Sequence, residues 1–195
     1  MDNRELKKDI AKSVGRTIWS LVPFVGAPTQ LFVSDFFTER RFDNINKFNT
    51  ELLTKLDKLE VDINNIDTSS DNLSEIVESV YEEIQKTKSN KKRAMFATAL
   101  ANSLKITDDN SLESGKDFVN ILTIIPYPYV STLAELRDGM LTYENIPSDC
   151  AFLNAYGLID QKVALKNNGF DATSTLVFKF NINENGLAFL KFIFA

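Results

Sequence analysis

Residues 42–59 read FDNINKFNTELLTKLDKL, and this stretch decides the fold class of the chain. Its apolar residues recur every three or four positions, which is the spacing of one helix face. They are Phe42, Ile45, Phe48, Leu52, Leu56 and Leu59. The opposite positions carry charges, at Arg41, Asp43, Lys47, Glu51, Lys55 and Asp57. A narrow apolar stripe with a charged back predicts a long amphipathic helix over about residues 29–59, in a bundle or against a partner.

Shorter segments repeat this helical pattern through the first 140 residues. A polar break, DINNIDTSSDN, occupies residues 62–72 after the long helix, and Pro126 and Pro128 interrupt the chain further on. The apolar spacing predicts further helices over about residues 2–16, 71–87, 94–104, 111–125 and 129–139. We therefore expect residues 1–140 to form a helical bundle.

After residue 140 the pattern changes, and strands are expected between helices. It predicts a helix over 147–156, strands over 158–166 and 175–182 joined by the turn KNNG, and a terminal helix after Gly186. The second strand alternates, which places Leu176, Phe178, Phe180 and Ile182 on one face. The expected fold is mainly α, with a small α+β lobe over 141–195 that contains a two-stranded hairpin at about 158–182.

This C-terminal lobe resembles the end of a winged-helix module. The features that carry the resemblance are a helix ending in Tyr156-Gly157-Leu158-Ile159, the hairpin, and the helix start Asn183-Glu184-Asn185-Gly186. A module that reads DNA places Arg or Lys on its recognition helix and wing, yet the helix SDCAFLNAY has no basic residue. Residues 140–195 hold four lysines, no arginine and five acids. We expect the wing to serve packing or protein contact.

A second resemblance covers the middle of the chain. The segments KKRAMFATALANSLK and GKDFVNILTIIPYPYVSTLAEL are similar to small bacterial helical proteins of mobile elements and phage-defence loci, of the abortive-infection type. The chain departs from their pattern at Ile124–Tyr129, where they have a more polar helix start. The resemblance implies a winged-helix-like tail and a role in phage–host conflict or mobile-element biology, and it assigns no functional residue.

The composition excludes several classes of catalyst. The chain has no histidine and one cysteine, Cys150, so Ser-His-Asp and Cys-His catalysis and the usual zinc sites are absent. It has no G-x-G-x-x-G and no Walker loop. We expect no enzyme activity, no cofactor and no metal site, although a hydrolase built from carboxylates alone stays open. The net charge of −5 opposes nucleic acid as a partner, because phosphate contacts supply most of that affinity.

One dense basic run stands out, namely Lys86, Lys88, Lys91, Lys92 and Arg93. Its functional interpretation is a site for an anionic partner: phospholipid, RNA or an acidic protein surface. The structural interpretation is a solvated junction between two helices, with its charges near helix C-terminal carbonyls.

Residues 17–34, TIWSLVPFVGAPTQLFVS, form a second candidate segment without charge. With Phe36 and Phe37 it approaches the length of a membrane span, and basic residues precede it. Prolines and a glycine instead favour a kinked, buried joint. The residues of this membrane or hinge candidate, within 17–37, are Trp19, Pro23, Phe24, Gly26, Pro28 and Phe32.

These observations lead to three functional hypotheses. The first is a non-enzymatic intracellular interaction protein that binds a protein partner, or a copy of itself, through the amphipathic helix and the basic run. The second is a membrane-associating effector or sensor that uses residues 17–37. The third is a winged-helix transcription regulator. The single cysteine and the charged start of the chain suggest the cytoplasm, with the inner membrane face as the alternative location.

Overall fold

The computed structural model describes residues 35–61, 66, 69–167 and 174–195. The expected helix over 2–16, the apolar segment 17–34 with its six candidate residues, and the second half of the KNNG turn lie outside this part of the chain. Within it the fold is mainly α with a small antiparallel sheet near the C-terminus, so the expected fold class is confirmed. In chain order, the described residues form α1 (Asp35–Lys58), α2 (Asp71–Lys86), α3 (Asn90–Ser103), α4 (Asp109–Ile124), α5 (Tyr127–Asp138), β1 (Leu141–Tyr143), α6 (Ser148–Ala155), β2 (Ile159–Asn167), β3 (Ser174–Ile182) and α7 (Glu184–Phe194).

The chain separates into two compact units between Thr123 and Ile124. The described part of the first unit holds α1 to α4, with α1 packed against α2 and α3. The apolar stripe of α1 is its core face, because Ile45, Phe48, Leu52 and Leu56 are all buried. The Phe48 ring meets Tyr81 of α2 edge-on, with ring centroids 5.4 Å apart. The spacing that predicted the long helix therefore also predicted the face it buries.

Serine side chains start two of these helices. The Ser70 hydroxyl accepts a hydrogen bond from the Leu73 amide at 3.3 Å, and α2 begins at the next residue. The Ser89 hydroxyl accepts one from the Lys92 amide at 3.2 Å in the same way. Such caps satisfy backbone amides that have no partner inside the helix. Helix α3 consequently begins before residue 94, because its charged first turn is helical although it has no apolar spacing.

The second unit contains α5, α6, α7 and the sheet. Helix α5 packs against α6 and β3, and this compact unit starts at Ile124. The strand order is β1-β3-β2, and both pairs are antiparallel. The third strand, β1, was missed by sequence reasoning, because three residues are too short to show alternation.

Two glycines and an asparagine join the sheet of this unit to α7. Gly157 adopts a positive φ of 66°, the left-handed conformation expected at a helix end. The Asn183 side chain accepts a hydrogen bond from the Gly186 amide at 2.9 Å and donates to the Gly157 carbonyl at 3.0 Å. A Cβ at Gly186 would overlap the Leu158 carbonyl oxygen and lie 2.7 Å from Cγ1 of Ile182. Glycine at 186 thus permits the close approach of α7 to the start of β2.

Candidate functional site

The structure divides the basic run into surface and interior residues. Lys86, Lys88 and Lys91 are exposed where α2 leads into α3. Lys92 is half-buried, and its Nζ donates to the Thr123 carbonyl at 2.7 Å. Arg93 is buried, only 6% exposed, and pairs through Nε with Glu51 Oε1 at 3.2 Å. Three of the five predicted residues therefore have exposed side chains.

Lys92 serves the end of a helix. The Thr123 carbonyl belongs to the last turn of α4, where carbonyls have no partner within the helix, and the ammonium supplies one. Burial lowers the pKa of Lys92, and the nearby charge of Glu83 opposes that shift. This is the role that the structural interpretation of the run anticipated, a charge placed against C-terminal carbonyls.

Arg93 connects α3 to α1. Its Nη2 also donates to Asn90 Oδ1 at 3.1 Å, so the guanidinium has two side-chain partners. Glu51 was expected on the charged back of the long helix, yet its carboxylate turns toward the bundle. Its Oε2 is buried without a hydrogen-bond partner among the described residues. The pair joins residues 42 positions apart, which no local pattern in the sequence reveals.

Helix α1 adds two cations to the exposed lysines. The Asn44 side chain donates from Nδ2 to the Thr87 carbonyl at 3.2 Å, which holds α1 against the connector between α2 and α3. Arg40 and Arg41 precede Asn44 by four and three residues, so they share its side of the helix, and both are exposed. Glu39 precedes Arg40 in the sequence, and the next acid after Arg41, Asp43, pairs with Lys47 at 2.6 Å. We call this group the basic surface: Arg40, Arg41, Lys86, Lys88 and Lys91.

Sequence reasoning missed Arg40 and Arg41 as members of this surface. They lie on the charged face of α1, for which the sequence pattern predicted exposure to solvent. They are also more than forty residues from the lysines in the sequence. The Asn44–Thr87 hydrogen bond that brings them together depends on the packing of α1, α2 and α3. The only available signal was that the charges of α1 and of the connector have the same sign.

A nucleophile could come from the cysteine thiol, and a metal site from the acidic residues. Burial, together with the charge of Asp149, raises the pKa of the Cys150 thiol to about 11, so it carries almost no thiolate at neutral pH. No group of three or more Cys, Asp or Glu residues in the described ranges is arranged to hold a metal ion. No helix among the described residues is long and apolar enough to cross a bilayer.

The C-terminal α+β lobe carries little positive charge on the helix and hairpin with which a winged-helix module would contact DNA. Asp149 lies in the first turn of helix α6, and its Oδ2 accepts a hydrogen bond from Thr132 at 2.6 Å. On the hairpin, Lys162 lies directly opposite Lys179, and Lys166 shares their face. These lysines are set beside Asp160 on that same face. The basic surface on α1, α2 and α3 is therefore the larger group of exposed cations in the described residues.

Searches against models of protein families, curated proteins and solved structures find no match for this chain.

Proposed function

We propose that the protein is a non-enzymatic interaction protein that binds an acidic protein partner through the basic surface. The observation that carries this proposal is the Asn44–Thr87 hydrogen bond, because Arg40 and Arg41 share the side of α1 that carries Asn44, and Thr87 lies in the connector that carries the lysines. Local charge of one sign raises the rate and specificity with which an oppositely charged surface docks. The chain as a whole has a net charge of −5, so this surface contrasts with the rest of the molecule.

The basic surface is held by a well-packed scaffold. In the two helices that flank the connector, Ile76, Val77 and Val80 of α2 and Phe96 of α3 are fully buried. Burial of such side chains contributes about 1.5–3 kcal/mol each, so the helices that present the cations are held in fixed positions. Surface charges on rigid elements lose less conformational freedom on binding than charges on loops.

A non-enzymatic role agrees with the environment of Cys150, whose raised pKa makes it a poor nucleophile. A single buried cysteine suits a reducing compartment, and we propose the cytoplasm. For the biological setting we propose phage–host conflict or mobile-element biology, and this rests only on the abortive-infection resemblance of residues 91–136.

Charge reversal tests the basic surface directly. The full chain and its variant Arg41→Glu/Lys86→Glu/Lys88→Glu are compared for binding to a polyglutamate peptide at low and high salt. Lys58, Lys105 and Lys191 are exposed elsewhere, so their triple change to Glu gives a control with the same net charge. We expect at least about tenfold weaker binding for the first variant only, since each lost charge pair contributes up to about 1 kcal/mol.

Equal loss in both variants, or no polyglutamate binding at low salt, would contradict the proposal. Binding to vesicles that contain phosphatidylserine, without binding to polyglutamate, would assign the basic surface to a membrane partner. Metal-dependent turnover of nucleotides or nucleic acid by the purified chain would contradict the non-enzymatic part.

A further inference from the structure

Among the described residues, no strand pairs with the outer edge of β2 along its whole length. In the strand order β1-β3-β2 it is the last strand, and within the described residues it pairs only with β3. The pairing runs without a bulge from Ile159 opposite Ile182 to Asn167 opposite Ser174. The segment IDQKVALKN also contains no proline. A straight strand with a free row of N–H and C=O groups is a template for another strand.

Apolar side chains remain exposed on one face of this hairpin. Val163 is 59% exposed, Leu165 is 68% exposed and Leu176 is 48% exposed. Leu165 lies directly opposite Leu176, and Val163 lies opposite Phe178, so all four share a face. A neighbouring strand along β2 would cover part of this apolar surface.

We propose that β2 pairs antiparallel with β2 of a second copy of this chain, around a two-fold axis at Val163. A two-fold axis of this kind places residues at equal distances from the centre opposite each other. All nine residues of β2 are then paired, and Val163 meets Val163 of the second copy. Asp160 of each chain lies opposite Lys166 of the other, so the pairing gains two opposite-charge pairs.

The two neighbouring registers pair fewer residues of β2 and oppose charges of the same sign. An axis at Lys162 places that lysine against its own copy, and an axis at Ala164 sets Lys162 against Lys166 twice. An axis at Gln161 would oppose Asp160 to Lys162 but would pair only residues 159–163. The register at Val163 is the one among these that combines the longest pairing with favourable charges. Charge complementarity in this register supports a second copy as the occupant.

The side chains of Asp160, Lys162 and Lys166 are exposed and can make these contacts. Asp160 Oδ1 accepts a hydrogen bond from Asn183 at 3.3 Å, which leaves Oδ2 for the lysine of the second copy. Lys166 is exposed, as is Lys162, which would face the small Ala164. On the opposite face of the sheet, Phe178 and Val163 of one chain would lie in a continuous apolar row with Val163 and Phe178 of the second copy. The two three-stranded sheets become one six-stranded sheet.

Charge swaps test the proposed pairs. Sedimentation of the full chain over a range of concentrations should show a reversible dimer. Lys166→Asp and Asp160→Lys each replace two attractive pairs with two repulsive ones, and we expect a dimer about tenfold weaker in each case. The double variant Asp160→Lys/Lys166→Asp restores opposite charges and should restore the dimer. Asp160→Lys also loses the bond from Asn183, whereas Lys166→Asp leaves that bond intact.

Cysteine substitutions test the register itself. In an antiparallel pair, a residue opposite its own copy has a Cα separation of about 4.5–5.5 Å, which suits a disulfide. Val163→Cys should therefore cross-link two full chains under mild oxidation, while Lys162→Cys and Ala164→Cys should not. The native Cys150 is buried, and the unsubstituted chain serves as the control for it.

A chain that remains monomeric at every concentration would overturn the proposal. A dimer that is indifferent to Lys166→Asp, or that cross-links best through position 162 or 164, would overturn it equally. Concentration-dependent association, rescue by the double swap and selective cross-linking at position 163 would support it.

Discussion

Leu52 and Leu165 are the same residue in two very different parts of the molecule. Leu52 lies on the inner stripe of α1 and is 1% exposed, while Leu165 lies on the free edge strand β2 and is 68% exposed. In the first unit, packing of helix on helix has buried the apolar stripe of α1. In the second unit, the outer half of the hairpin carries apolar side chains that its own sheet does not cover. The apolar face of α1 is therefore covered within the first unit, whereas the hairpin of the second unit has apolar surface that a further strand could cover.

The largest expected effect comes from a substitution in the buried stripe of α1. Leu52→Ala removes a buried side chain and leaves a cavity, and we expect a loss of about 3 kcal/mol in the free energy of unfolding. Chemical denaturation should show it, and hydrogen exchange by mass spectrometry should place the faster exchange in α1, α2 and α3. An unchanged stability would contradict the packed stripe that the structure places on α1.

A somewhat smaller effect is expected where α7 approaches β2. Gly186→Ala places a Cβ against the Leu158 carbonyl oxygen, a backbone atom that cannot move aside alone. Overpacking of this kind costs about 2 kcal/mol. Asn185→Ala, at the exposed neighbouring position, is the matched control and should unfold like the original chain. Similar denaturation midpoints for the two variants would argue against the close approach.

Breaking the inward ion pair tests how the first unit holds a charge. Glu51→Gln keeps the shape of the side chain but removes the charge that faces buried Arg93, and we expect a loss of about 2 kcal/mol. Asp57→Asn on the exposed back of α1 is the control, because that carboxylate lies in solvent. If both variants unfold at the same denaturant concentration, the Arg93–Glu51 pair does not contribute to the stability of the fold.

The smallest effect sharpens the comparison. Leu165→Ala removes the same atoms as Leu52→Ala, yet we expect a change within about 0.5 kcal/mol when the protein is dilute, because the side chain is already in water. Thermal denaturation at low protein concentration measures it. A loss as large as that of Leu52→Ala would mean that Leu165 is covered within the chain.

Local sequence pattern predicted most of the helices and both long strands. The stripe at Ile45, Phe48, Leu52 and Leu56 announced both a helix and its buried face, because a period near 3.6 is itself the geometry of the helix. The alternation in β3 was less informative about burial. Phe180 is buried and Leu176 exposed on one face, while Val177 is buried on the other. Burial on a strand depends on which elements cover each part of the sheet.

The candidate site was only partly accessible to sequence reasoning. The run of five basic residues marked the right connector, but its last two members turn inward, toward Glu51 and the Thr123 carbonyl. The two arginines of α1 come from a distant part of the chain. A run of charged residues in the sequence does not show which of them are exposed. That depends on the packing partners of each side chain in the folded protein.

The sequence by itself determined the class of fold, the helical stripe of α1 and the absence of histidine chemistry. These follow from properties of single residues and from spacings within a few turns of chain. Tertiary structure alone decided the pairing of β1 with β3, the inward turn of Arg93, the gathering of the basic surface and the free edge of β2. Each of these joins residues that are far apart in sequence, so its free energy comes from packing and charge pairing that no local spacing encodes.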